Sequence, residues 1–226
     1  VLGDDDGLGV GAALVINSGS IASDDDARNV VDDVTVTGNF AVGGTHDLEL
    51  SGGIDFGDLA GATRTVTVDN TAATVFSGTI DASNGVLAKA GPGQLNLTAD
   101  NTLASITADV QLDAGTLGLG DDNALGSGGF IVNGGAVLAV GGPVVIDNTV
   151  TVNGDFTIGG TNDFEIAGGD TVDFGDLAGG TTTVTVDNTA TTTWSATVNA
   201  SNGTIAKAGD GTLVINADNT GSLDAD

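Results

Sequence analysis

Cations are the scarce residues of this chain, so acid–base or anion-binding chemistry would have to run through very few positions. Four basic side chains, Arg28, Arg64, Lys89 and Lys207, and a single histidine, His46, stand against 31 carboxylates. Paired carboxylates can hydrolyse a glycosidic bond, but here such pairs occur throughout the sequence and single out no site. A polysaccharide lyase needs a base to abstract a proton and cations to hold an anionic substrate, and four scattered basic residues do not supply them. The remaining chemistry is calcium. Aspartate runs stand at 3–7 (GDDDG), 23–27 (SDDDA), 31–33 (VDD) and 120–123 (GDDN). None has the EF-hand spacing or the glycine-rich nonapeptide of calcium-binding β-rolls. Their ordinary reading is a solvated acidic turn face, with calcium held between stacked turns as the alternative. Site residues are therefore expected to be none, whether catalytic, cofactor-binding or metal-ligating.

The elements that would position these residues are repeated. LAKAGPGQLNLTADNT at 87–102 returns as IAKAGDGTLVINADNT at 205–220, and 26 of the 40 residues from Thr63 to Thr102 recur at an offset of 118. Upstream, residues 34–53 answer residues 150–169 at an offset of 116. The chain reads as one continuous body, 1–226, made of two tandem units of about 117 residues, approximately 1–108 and 109–226. Lys89 and Lys207 occupy one equivalent position. They are read as turn lysines that neutralise nearby aspartates and cover apolar surface with their stems. His46 aligns with Asn162, as a solvated turn residue; Arg64 aligns with Thr182, as surface counter-charge, the reading also given to Arg28. Trp194 aligns with Phe76 and is expected in the same core or flanking slot.

Composition narrows the class. The formal net charge is −27, which repels nucleic acid and anionic lipid. Yet 40% of residues are hydrophobic, enough for a core of Val, Leu, Ile and Ala, since aromatics are only 4%. Cysteine is absent, so disulfides and zinc–thiolate sites are excluded. The longest apolar run, residues 10–16, is too short to span a membrane as a helix. Short Thr/Val/Ile-rich runs alternate with Gly, Asn and Asp turns, and helical spacing is nearly absent. That texture is all-β, and close tandem duplication favours stacked coils over a sandwich. Five coils of roughly 20–25 residues would fill each unit, ten in all, in a rod about 48 Å long.

Residues 87–140, from LAKAGPGQLNLTADNT to QLDAGTLGLGDDNALGSGGFIVNGGAVLAV, resemble the autotransporter-associated β-strand repeat. The resemblance rests on Lys-x-Gly-x-Gly-x-Leu-x-Leu, then Asn-Thr, Ala-Gly-Thr-Leu, Ala-Leu-Gly and Gly-Gly. It implies a right-handed parallel β-helix on, or secreted from, a bacterial cell. The expected function is that of a non-enzymatic, extracellular structural segment of a surface filament, stalk or adhesin. The alternative is an adhesin-type module that binds glycans or divalent cations along one face. Leu223–Asp226 align with Ile106–Asp109, and Leu2–Asp5 with Leu119–Asp122. The expected partner is thus the protein itself, either as a longer array or as subunits stacked end to end.

Overall fold

The computed structural model describes residues 13–102, 106–167 and 171–219. Among these residues every regular element is a strand, three to six residues long, and every strand pairing is parallel. Each pairing lays the chain on itself one coil later, as Leu14 onto Val34 or Phe156 onto Val184. The result is a parallel β-helix of about nine turns.

Each turn contributes one strand to each of three faces. The first face begins with Leu14–Ile16 and continues through Val34–Val36, Ile54–Asp58 and Ile80–Ser83. It narrows to a single bridge between Ala82 and Ile106 and to the bond from Ser127 N to the Ile106 carbonyl. It then resumes with Val144–Ile146, Phe164–Ile166, Thr191–Trp194 and Thr212–Ile215. The second face is an unbroken sheet of nine strands from Ser20–Ser23 to Thr197–Ser201, and the third runs equally from Arg28–Val30 to Thr204–Ala208.

Alternation inside each strand makes the core. In Val34–Val36 both valines are buried, while Thr35 between them faces outward, and Leu48–Leu50 and Phe164–Ile166 follow the same pattern. The inward side chains merge into one continuous apolar column along the axis. Trp194 lies within it, 1% exposed, tilted against Phe174 with ring centroids 6.1 Å apart. Its repeat equivalent Phe76 is equally buried.

The two sequence units do not correspond to whole numbers of turns. Thr63–Val68 lies in the second face, but its equivalent Thr181–Val186 lies in the third, five coils further on. Leu14–Ile16 of the first face is likewise matched by Phe130–Val132 of the second. Each unit therefore advances five turns and one face, where the sequence predicts five turns. Coil length varies along the body, from 20 residues between Leu14 and Val34 to 26 between Ile54 and Ile80, so a unit of about 117 residues need not close in whole turns.

Candidate functional site

The equivalent lysines are the first place to look for chemistry. Lys89 sits on Val86–Ala90, in register with the inward-facing Val66 and Leu112, and is 2% exposed. Its ammonium donates to the carbonyls of Ala90 (3.2 Å), Gly91 (2.7 Å) and Ala114 (2.8 Å), the last from the next coil. This corrects the surface reading. The head is turned inward under the coil above, and backbone carbonyls rather than carboxylates meet its three N–H groups. Burial pushes the Lys89 pKa down to about 8, against the upward pull of Asp69, so at neutral pH the head is the ammonium. Gly115 allows this closure. It has φ +71°, and a Cβ there would lie 2.5 Å from the Lys89 Nζ. Lys207 repeats the first two bonds, to Ala208 (3.2 Å) and Gly209 (2.8 Å), but its side chain is exposed.

Asp24–Asp26 of the run at 23–27 are exposed, and other aspartates, themselves exposed or half-buried, also tie coil to coil. Several accept a backbone N–H from the next coil: Asp33 from Gly53 (2.9 Å), Asp109 from Gly129 (2.8 Å) and Asp122 from Val145 (2.7 Å). Asp47 and its equivalent Asp163 accept from Ala73 (2.9 Å) and Thr191 (2.8 Å). Asn39 and its equivalent Asp155 do the same for Thr65 (3.0 Å) and Thr183 (2.7 Å). Asp26 and Asp121 close their own turns on Ala27 and Asn123. Thr102, through its hydroxyl and its N–H, holds the exposed Asp100 carboxyl below the usual range. No cluster of three or more His, Cys, Asp or Glu able to hold a metal ion occurs among the described residues. The run at 3–7 and the alignments of Leu2–Asp5 and Leu223–Asp226 lie outside the described residues.

Sequence reasoning overlooked the buried asparagines. Asn70, Asn101 and Asn188 are 1% exposed and Asn148 is 5% exposed, and each bonds between coils. Asn70 donates to the His46 carbonyl (3.0 Å) and accepts from Ala72 N (3.1 Å), while Asn188 does so with Asn162 and Ala190. Asn101 donates to Ala124 and accepts from Ile80 N, and Asn148 spans Gly126 and Gly128. The signal was present in the sequence: the tripeptide Asp-Asn-Thr occurs at 69, 100, 147, 187 and 218.

The other basic residues are dispersed. His46 is half-buried, with Nδ1 3.1 Å from the Thr45 hydroxyl. Arg28 reaches the Ala27 carbonyl near one end of the body. Arg64 is half-buried on the inward-facing register, with a buried Nε that has no hydrogen-bond partner among the described residues. Beside the Asn70 corner an open groove of about 530 Å³ is lined by Asp69, Thr71, Pro92, Gln94 and Thr116. A smaller groove of about 310 Å³ repeats it beside Asn188.

No protein-family model, no curated protein and no solved structure matches this chain. No helix among the described residues is long and apolar enough to cross a membrane.

Proposed function

We propose that this chain is a structural shaft: a stiff, acidic segment of a bacterial surface filament, stalk or adhesin, working outside the cell and without catalysis. One observation carries the reading. Polar side chains at three pairs of equivalent positions bind coil to coil in both copies, and Lys89 does so in the first. Asn70 and Asn188, Asp47 and Asp163, and Asn39 and Asp155 each clamp the neighbouring turn, and Lys89 closes the axis over a third carbonyl. These are the bonds a rod needs in order to keep its coils stacked under load. The resemblance of residues 87–140 to the autotransporter-associated repeat supports a cell-surface setting.

The repeated grooves beside Asn70 and Asn188 favour a second reading, an adhesin-type module that grips a glycan or a divalent cation. The test of the first is protease shaving of intact bacteria that produce the protein. Shaving is expected to release peptides of this chain from living cells. Recovery only after lysis would overturn the surface role, and saturable glycan binding lost on filling the Asn70 groove would favour the second reading.

A further inference from the structure

The groove beside Asn70 arises from a step in coil length. The chain takes seven residues from Thr67 to Thr74, but only five between their partners Ala90 and Leu95 on the next coil. The coil after that is one residue shorter again, from Leu112 to Leu117 against Lys89 to Leu95. Corner 69–73 therefore overhangs the two coils that follow, with Pro92, Gln94 and Thr116 along the floor. The same step, seven residues against five, recurs at Asn188 between Thr185 to Thr192 and Ala208 to Leu213. The overhang thus belongs to the backbone of the repeat.

Its wall is fixed before anything enters. Asn70, 1% exposed, donates to the His46 carbonyl and accepts from Ala72 N, and Asp47 accepts from Ala73 N at 2.9 Å. A wall held in this way loses little freedom on binding. The volume of about 530 Å³ falls in the ~300–1,000 Å³ range of small-molecule sites.

The lining narrows the ligand. Among the described residues no cation faces the groove, and Lys89, three residues before Pro92, gives its N–H groups to backbone carbonyls. An anionic ligand would meet Asp69 unopposed, and beyond it the charge of −27. Calcium, which takes six to eight oxygens, would find one carboxylate, Asp69. The groove offers acceptors: the Asp69 carboxylate, the Thr71 and Thr116 hydroxyls, and the Gln94 side-chain carbonyl, whose amide donates to Asn96 at 2.8 Å. Pro92 adds an apolar ring beside them. A neutral molecule rich in hydroxyl donors, with C–H faces between them, satisfies both.

We propose that the Asn70 groove binds a neutral saccharide, with Asp69 and Gln94 accepting from its hydroxyls and Pro92 lying against a C–H face. This goes beyond the shaft role and rests on the glycan-binding form of the second reading. The Asn188 groove, at about 310 Å³, has Asp210 in place of Pro92 and Thr212 in place of Gln94, and so lacks two of the three contacts.

The test is titration of the isotope-labelled chain with maltose, cellobiose, lactose and N,N′-diacetylchitobiose, each to about 20 mM, followed by amide NMR. At least one should shift the signals of 69–73, 94 and 116 saturably and leave 187–190 unmoved. Pro92→Asp, which installs the residue the second unit carries at that corner, and Gln94→Ala should each weaken binding at least about fivefold. Ala72→Trp, which fills the groove, should abolish it. No saturable shift with any of the four sugars, or binding undiminished in both Pro92→Asp and Gln94→Ala, would overturn the proposal. Saturable binding of digalacturonic acid or calcium in place of the neutral sugars would also overturn it, while leaving the adhesin reading standing. Surface shaving does not depend on this groove, so the shaft reading can fail or hold alone.

Discussion

Lys89 is charged at neutral pH in a place where charge is costly, and the sign of its pH dependence follows from that. Its pKa lies at about 8 in the folded protein, below the 10.5 of an unperturbed lysine, so between those values the unfolded chain binds more protons than the folded one. Its contribution to stability therefore rises with pH through the window from about 8 to 10.5. Thermal melts of wild type and Lys89→Met should diverge across that window, with wild type gaining on the variant. A difference that stays constant from pH 7 to 10.5 would contradict a buried ammonium. Asn70 gives a second residue-scale expectation. Asn70→Ala leaves a buried carbonyl and the Thr74 hydroxyl without their donor and should cost about 2–4 kcal/mol in urea unfolding. Thr71→Ala, next to it on the surface, should stay within about 0.5 kcal/mol. The sequence showed that Lys89 and Lys207 were equivalent, and the equivalence was real. Which way the head points was not legible, because it depends on the Ala114 carbonyl, which only the stacking of the next coil brings near.

Strands and corners were the most legible elements, because their cues are local. Val-Thr-Val and Leu-Glu-Leu alternate with the period of a pleated strand, and their valines and leucines are the buried ones. The aspartates read correctly as turn residues, but their bonds to the next coil could not be seen, since the partner N–H lies a whole coil further along the chain. The buried asparagines were hidden for the opposite reason: Asn is ordinarily a solvated turn residue, and only the recurrence of Asp-Asn-Thr marks these corners as special. Corner glycines differ in what they tolerate. Gly115→Ala combines a left-handed backbone with a Cβ 2.3 Å from the Gly91 carbonyl, and should cost at least about 2–3 kcal/mol in urea unfolding. A loss below about 1 kcal/mol would mean that the Lys89 corner is looser than described.

At the scale of the molecule, the one-face advance distributes each feature around the rod. The Asn70 and Asn188 grooves look out from different corners, and the lysines lie on different faces, so these repeated features do not line up on one side. That suits a shaft more than a binding blade. The advance was invisible in the sequence, where a repeat of about 117 residues divides as readily into five coils as into five and a third. Self-repulsion acts at the same scale. With a charge of −27, the melting temperature should rise on going from about 0.02 to 0.5 M NaCl. A melting temperature indifferent to salt would remove that argument, and a chelator effect at constant ionic strength would favour calcium held between turns. The most direct test of the shaft design is a spin-label distance between Thr67→Cys and Thr185→Cys, equivalent outward positions five coils apart. Labels on one face would sit about 24 Å apart at the ~4.8 Å spacing of stacked strands. The one-face advance predicts a longer distance, roughly 30 Å or more, because neighbouring faces add a sideways displacement to the axial one. A distance equal to the purely axial stacking value would mean that the unit closes in whole turns, contradicting the design.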